Sequence, residues 1–231
     1  MSRGNGRMAV FLDDRDYRQF IYYLGEIVEE FGLTCWNYCV MPNHFHATLQ
    51  PSLPNLSRAI QKLDGAYGQW WNRRHDRVGH VFQGRFKNQI VDYQEYLLTL
   101  SRYVVMNPVR AGIISRPEDW PWSSYRATAG LGVAPSFLSV GYTLSLFGSG
   151  EEAVQRERFV ASVARSDDPA MLDRIRSNEQ ILGPKDFKYA VRGGLRFPLP
   201  PGPPASPSEP GTPLVDPAAA GEERKKAEEG D

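Results

Sequence analysis

The stretch LTCWNYCVMPNHFHATLQ, Leu33 to Gln50, reads as two strands, Leu33 to Met41 and His44 to Gln50, joined through Pro42-Asn43. Both runs are rich in β-branched and aromatic residues, and so short a connection suits a hairpin. Side chains alternate along a strand, so His44 and His46 point one way while Phe45 and Ala47 point the other. The chain has only four histidines. Two of them therefore share one face of a stiff element whose opposite face is anchored by an apolar residue. That is a half-site for a divalent metal, although structural or half-exposed histidines produce the same pattern.

Helices are expected on both sides of the hairpin in the chain. Asp13 to Phe31 carries Tyr17, Phe20, Ile21, Leu24, Ile27, Val28 and Phe31 at helical spacing, with Gly32 as the stop. Asn55 opens a second helix with Leu56, Ala59, Ile60, Leu63, Tyr67 and Trp70 on its apolar side; Gly65 and Gly68 lie inside it. Gly79 to Val91 reads as extended. Asp92 as N-cap, with Glu95 three residues on, then starts a third helix. Its Leu97, Leu98, Ser101 and Val104 can face a core, leaving Tyr96, Leu100, Tyr103 and Asn107 on a neighbouring stripe. Pro108 disfavours helical backbone at Asn107, so a phenol and an amide project a turn apart from one helix end. A half-buried packed tyrosine and a turn-capping asparagine would give the same spacing. The order of elements fits an α+β fold, a ferredoxin-like antiparallel sheet with helices on one face.

The segments YCVMPNHFHATLQP, NLSRAIQKLDGAYGQWWNRRHDRVGHVFQGRFKNQIVD and YLLTLSRYVVMNPVRAGIISRPEDWPWSSY resemble the REP-associated tyrosine transposases of the HUH endonuclease superfamily, from Arg3 to about Tyr125. The resemblance implies that His44 and His46 are a metal-binding pair, that Tyr103 is the nucleophile that cuts DNA, and that Asn107 is the third protein ligand. It implies single-stranded or hairpin DNA as partner, Mg2+ or Mn2+ as cofactor, and a 5′-phosphotyrosine intermediate with a free 3′ hydroxyl. Members of the family carry a β-strand ahead of the Arg-Gly-Asn element. Here only Met1 and Ser2 precede Arg3-Gly4-Asn5, so the first strand is expected to be missing or truncated, leaving pairing groups exposed. A catalytically inactive DNA-binding regulator of the same fold is the alternative. A phosphoesterase built on two His-x-Thr motifs, prompted by His46-Ala-Thr48, fails because His75 and His80 are followed by Arg77 and Phe82.

The formal net charge is zero over 231 residues, yet residues 1–130 hold 15 Lys and Arg against 12 Asp and Glu. Between Asn55 and Asp92 seven basic residues stand against three acidic ones, interleaved with Trp70, Trp71, His75, Phe82 and Phe86. This mixture suits a groove that tracks phosphates and stacks bases; a solvated face over core aromatics is the bland reading. Arg73, Arg74, Arg77, Arg85 and Lys87 are the candidate DNA contacts. Cys35 and Cys39, with no signal segment or long apolar run, point to a reduced cytoplasmic protein without membrane contact, a monomer or homodimer. Residues 1–130 form the expected catalytic domain, 131–196 a small helical appendage and 197–231 a disordered Pro/Gly-rich tail.

Overall fold

The computed structural model describes residues 1–165, 169–177, 180–182 and 184–192. Its first part runs β1 (Ser2–Arg3), α1 (Asp14–Glu30), β2 (Leu33–Met41), β3 (His44–Pro51), α2 (Leu56–Arg74), β4 (Ile90–Val91) and α3 (Tyr93–Val105). The hairpin forms as read, with Met41 opposite His44 and Val40 opposite Phe45. Its turn is pinned from outside, because the Pro42 carbonyl accepts from the Val10 and Phe11 amides.

The first strand is present, two residues long, with Ser2 opposite Phe45 and Arg3 opposite His44. Its outer edge is covered rather than bare. Asn5 donates to the Val81 carbonyl, Gln83 to Arg3 and Lys87 to Met1, and Gly4 bridges Phe82. Residues 81–87 thus run antiparallel beside β1, and the lateral order 81–87, β1, β3, β2 is that of a ferredoxin-like sheet. The far edge of β2 is closed by the Trp120–Tyr125 segment: Val40 donates to Trp122, Ser124 donates to Tyr38, and the Trp120 indole donates to the Val40 carbonyl at 3.0 Å. The outer sides of β1 and β2 are thus both covered.

α1 and α2 cover one face. Phe20, Leu24, Leu63 and Tyr67 pack there on Tyr38, Val40 and Phe45. Asp13 caps α1 by accepting from the Arg15 and Asp16 amides, and Gly32, at φ 58°, ends the turn that follows it. The fully buried Asp16 binds Arg74 and His75, tying the start of α1 to the end of α2.

Helices on one face alone would have left the second face bare, and here the structure differs from the expectation. A bulge between Cys35 and Asn37 shifts the register. Cys35 consequently joins the α1 side, while Trp36, Cys39 and Met41 are buried on the opposite side. Such apolar area requires a cover, and α3 supplies it with Leu97 and Val104. Buried Asn37 then links the layers, accepting from Thr48 Oγ1 at 2.8 Å and donating to Ser101 Oγ at 3.0 Å. Leu98, expected in the core, is 36% exposed. The side chain of Glu95, the expected partner of Asp92, lies outside the described residues.

Beyond α3 come α4 (Asn107–Arg110), α5 (Tyr125–Thr128), α6 (Val140–Ser145), α7 (Glu152–Val163), α8 (Pro169–Arg176), β5 (Ile181–Leu182) and α9 (Lys185–Arg192). Phe137 and Leu138 join the α1 core, and Leu144 and Phe159 pack on Val105 and Tyr125. β5 pairs parallel with β4, which sets Leu182 and Ile175 against Tyr96 on α3. The tail at 197–231 lies outside the described residues.

Candidate active site

Strand alternation puts His44, His46 and Thr48 on the face under α3. The two imidazole centroids stand 5.0 Å apart. The Tyr103 ring meets His46 edge-on at 5.8 Å between centroids, with the planes at 84°. Tyr103 reaches this point because Leu97, Ser101 and Val104 seat α3 on the sheet, leaving Tyr103 one position from the core stripe and above the hairpin. Its backbone carbonyl accepts from Arg110 Nη1 at 2.7 Å, and the same guanidinium lies 4.9 Å from the centre of its ring. Arg110, two helical turns along from Tyr103, thus fixes both ends of the residue. The sequence reading passed it over, although the seven-residue spacing was visible.

The orientation of His44 is set by its neighbour Asn43.

 Its Nδ2 donates to the Arg7 carbonyl at 3.1 Å, which turns its Oδ1 toward His44 Nδ1 at 2.6 Å. An oxygen acceptor there requires the proton on Nδ1, so His44 Nε2 keeps its lone pair. Burial, with the Arg3 charge second, holds the His44 pKa down at about 4. Burial, with His44 beside it, also holds His46 well below the ordinary imidazole range. Both rings are neutral at physiological pH, the state in which imidazole binds a cation. Asn107 Nδ2 donates to the carbonyls of Tyr103 at 2.8 Å and Val104 at 3.2 Å. Two carbonyl partners identify that end of the amide as nitrogen and leave Oδ1 as a donor atom. Among the described residues no group of three or more His, Cys, Asp and Glu side chains is placed to hold a metal ion. A cation here would rest on two neutral nitrogens and one amide oxygen, a set that fits an ion whose remaining ligands are water and phosphate oxygen.

The candidate DNA contacts divide. The Arg74 guanidinium is held by Asp13 at 2.6 Å and by buried Asp16, and it lies 5.6 Å from the Trp70 ring, so it belongs to the α1–α2 joint. Arg73 and Arg77 are exposed at and beyond the end of α2. Arg85 and Lys87 lie on the extended segment beside β1. Thr48, which prompted the phosphoesterase comparison, is committed to Asn37.

Residues 2–107 match the IS200-like transposase family. That segment holds the whole of the geometry just described except Arg110. The REP-associated tyrosine transposase of Haemophilus influenzae is 24% identical over 139 residues, covering 51% of this chain and 77% of that protein. A solved REP-associated tyrosine transposase bound to a REP hairpin is 17% identical with a TM-score of 0.46, covering 60% of this chain and 81% of that one. The resemblance read from the sequence is borne out, and the IS200-like segment supports a DNA transposase-like role. No helix among the described residues is long and apolar enough to cross a membrane.

Proposed function

We propose that this chain cuts and rejoins single-stranded DNA, with Tyr103 as nucleophile and a 5′-phosphotyrosine ester as intermediate. The observation that carries the reading is the edge contact between Tyr103 and His46, which joins a phenol to the neutral histidine pair from the far end of the domain. In the first step the phenolic oxygen forms a bond to phosphorus and the bond to the 3′ oxygen breaks. The phenolic proton is given up, and the leaving oxygen departs as a 3′ hydroxyl. The ester conserves the bond, so a second 3′ hydroxyl can displace Tyr103 without a nucleotide cofactor.

His44, His46 and Asn107 would hold Mg2+ or Mn2+, which supplies Lewis-acid stabilisation of charge on the phosphoryl oxygens. Asn43 keeps His44 in the required tautomer, and Arg110 keeps the Tyr103 ring facing the pair. Tyr103 and both histidines belong to one chain, so a monomer suffices for the chemistry and a homodimer is not required. Hairpin-forming repeats are the substrate class suggested by the REP-associated relative.

The test is incubation of the protein with Mn2+ and labelled single-stranded DNA from its own genomic flanks, followed by a denaturing gel. The wild type should form a gel-stable conjugate. Tyr103→Phe should form none while binding DNA about as tightly, and His44→Ala should also form none. A conjugate that persists in Tyr103→Phe would move the nucleophile elsewhere. Binding by the wild type with no conjugate on any flank would leave a DNA-binding regulator.

A further inference from the structure

Beside the histidine pair, Arg3, Arg7, Arg85 and Lys87 line one cavity of about 220 Å3 together with Met1 and Gln83. None of these four cations makes a side-chain hydrogen bond or ion pair among the described residues, whereas Arg74, Arg116 and Arg156 are all engaged by carboxylates. Arg3 Nε is buried with no partner at all. Leaving a buried charged donor unsatisfied is unfavourable, so a ligand that accepts from it would recover that loss. The approach to the cavity is also strained: Gly6 and Arg7 take consecutive positive φ values of 59° and 62°. For arginine this region is uncommon, and such outliers gather at functional sites.

The register places the cavity relative to the catalytic face. Arg3 stands directly opposite His44, so the two side chains leave the same side of the sheet. Gln83 pairs with Arg3 through its amide, one strand further out. Strand spacing then puts the cations within about 10 Å of the histidine strand, on the side of His44 away from β2. A strand lying across this face would meet the cations first, then His44 and His46, with Tyr103 above.

We infer that Arg3, Arg7, Arg85 and Lys87 form a phosphodiester-binding subsite that holds single-stranded DNA beside the scissile position. Arg85 and Lys87 were candidates from composition; Arg3 and Arg7 enter only through the fold. The inference rests on the strand-transfer reading for the identity of its ligand, and its experiment does not depend on cleavage.

The measurement is fluorescence anisotropy of a labelled single-stranded flank oligonucleotide in the Tyr103→Phe background, over a range of salt concentration. Arg7→Gln, Arg85→Gln and Lys87→Gln should each reduce the slope of log K against log salt by about 0.7, and each should weaken binding about fivefold at 0.1 M salt. Arg15→Gln, at an exposed position on α1 over the opposite face of the sheet, should leave the slope unchanged. Melting temperatures equal to that of the parent would show that the variants fold. Unchanged slopes in the three cavity variants would overturn the subsite, as would an equal loss in Arg15→Gln or no binding of the parent at low salt. Reduced slopes without any wild-type conjugate would keep the subsite and remove the nuclease. A wild-type conjugate with unchanged slopes would do the reverse.

Discussion

Asp64 shows how much one side chain can carry outside the reacting groups. It lies on α2 beneath β1, where Ser2 Oγ donates to its Oδ2 at 2.7 Å while its Oδ1 is buried without a partner. Burial pushes its pKa up to about 6; the Ser2 hydrogen bond and the Met1 amino group act the other way. A carboxyl whose folded pKa is raised favours folding when protonated. Its penalty is absent below about pH 4, the ordinary value, grows between pH 4 and 6, and is complete above that. Asp64→Asn removes the charge and keeps an acceptor for Ser2. Urea denaturation should therefore show the variant equal to the wild type near pH 4 and about 2 kcal/mol more stable at pH 7.5. A difference independent of pH would mean that Asp64 is solvated in the folded state.

At the scale of elements, the hairpin and the helices were legible because their signals are local. The alternation of His44, Phe45, His46 and Ala47 separates the two faces without knowledge of what covers either. The 3.6-residue period of α3 likewise marked Leu97, Ser101 and Val104, but it gave no means of showing that they lie on the second sheet face. Three features escaped for a common reason. The bulge at Cys35–Asn37, the Arg3–His44 pair and the two-residue pairing of β4 with β5 all depend on partners distant in the chain, and each is too short to leave a periodic trace. Asn37 marks where the local and distant levels meet. It is 1% exposed and joins β3 to α3 through Thr48 and Ser101. Asn37→Leu would strand two hydroxyls and should destabilise the protein by about 2 kcal/mol in urea denaturation. Adding Thr48→Val and Ser101→Ala should restore most of that loss, because an apolar set leaves nothing unsatisfied. A triple variant no more stable than Asn37→Leu alone would show that packing volume, rather than hydrogen bonding, seats α3.

For the molecule as a whole, α3 lies between two bodies of unequal character. Its inner side rests on the sheet through Leu97, Ser101 and Val104. Its outer side, with Tyr96, Leu100 and Tyr103, is met by Ile175 and Leu182 from late in the chain. Leu182 is fully buried there, and the β4–β5 pairing holds it in register. The Arg174 guanidinium adds a contact 5.0 Å from the Tyr96 ring, and Arg102 on α3 donates to the Arg165 carbonyl. The late segment therefore braces the helix that carries the proposed nucleophile. Leu182→Ala removes the centre of this contact, with a local loss of about 3 kcal/mol expected for a buried leucine. Hydrogen exchange should then quicken in 96–105 as well as in 169–182, while α1 and α2 keep their protection, because α3 opens as a unit smaller than the whole domain. If exchange quickens only in 169–182, the sheet alone holds α3 in place and the brace has no part in positioning Tyr103.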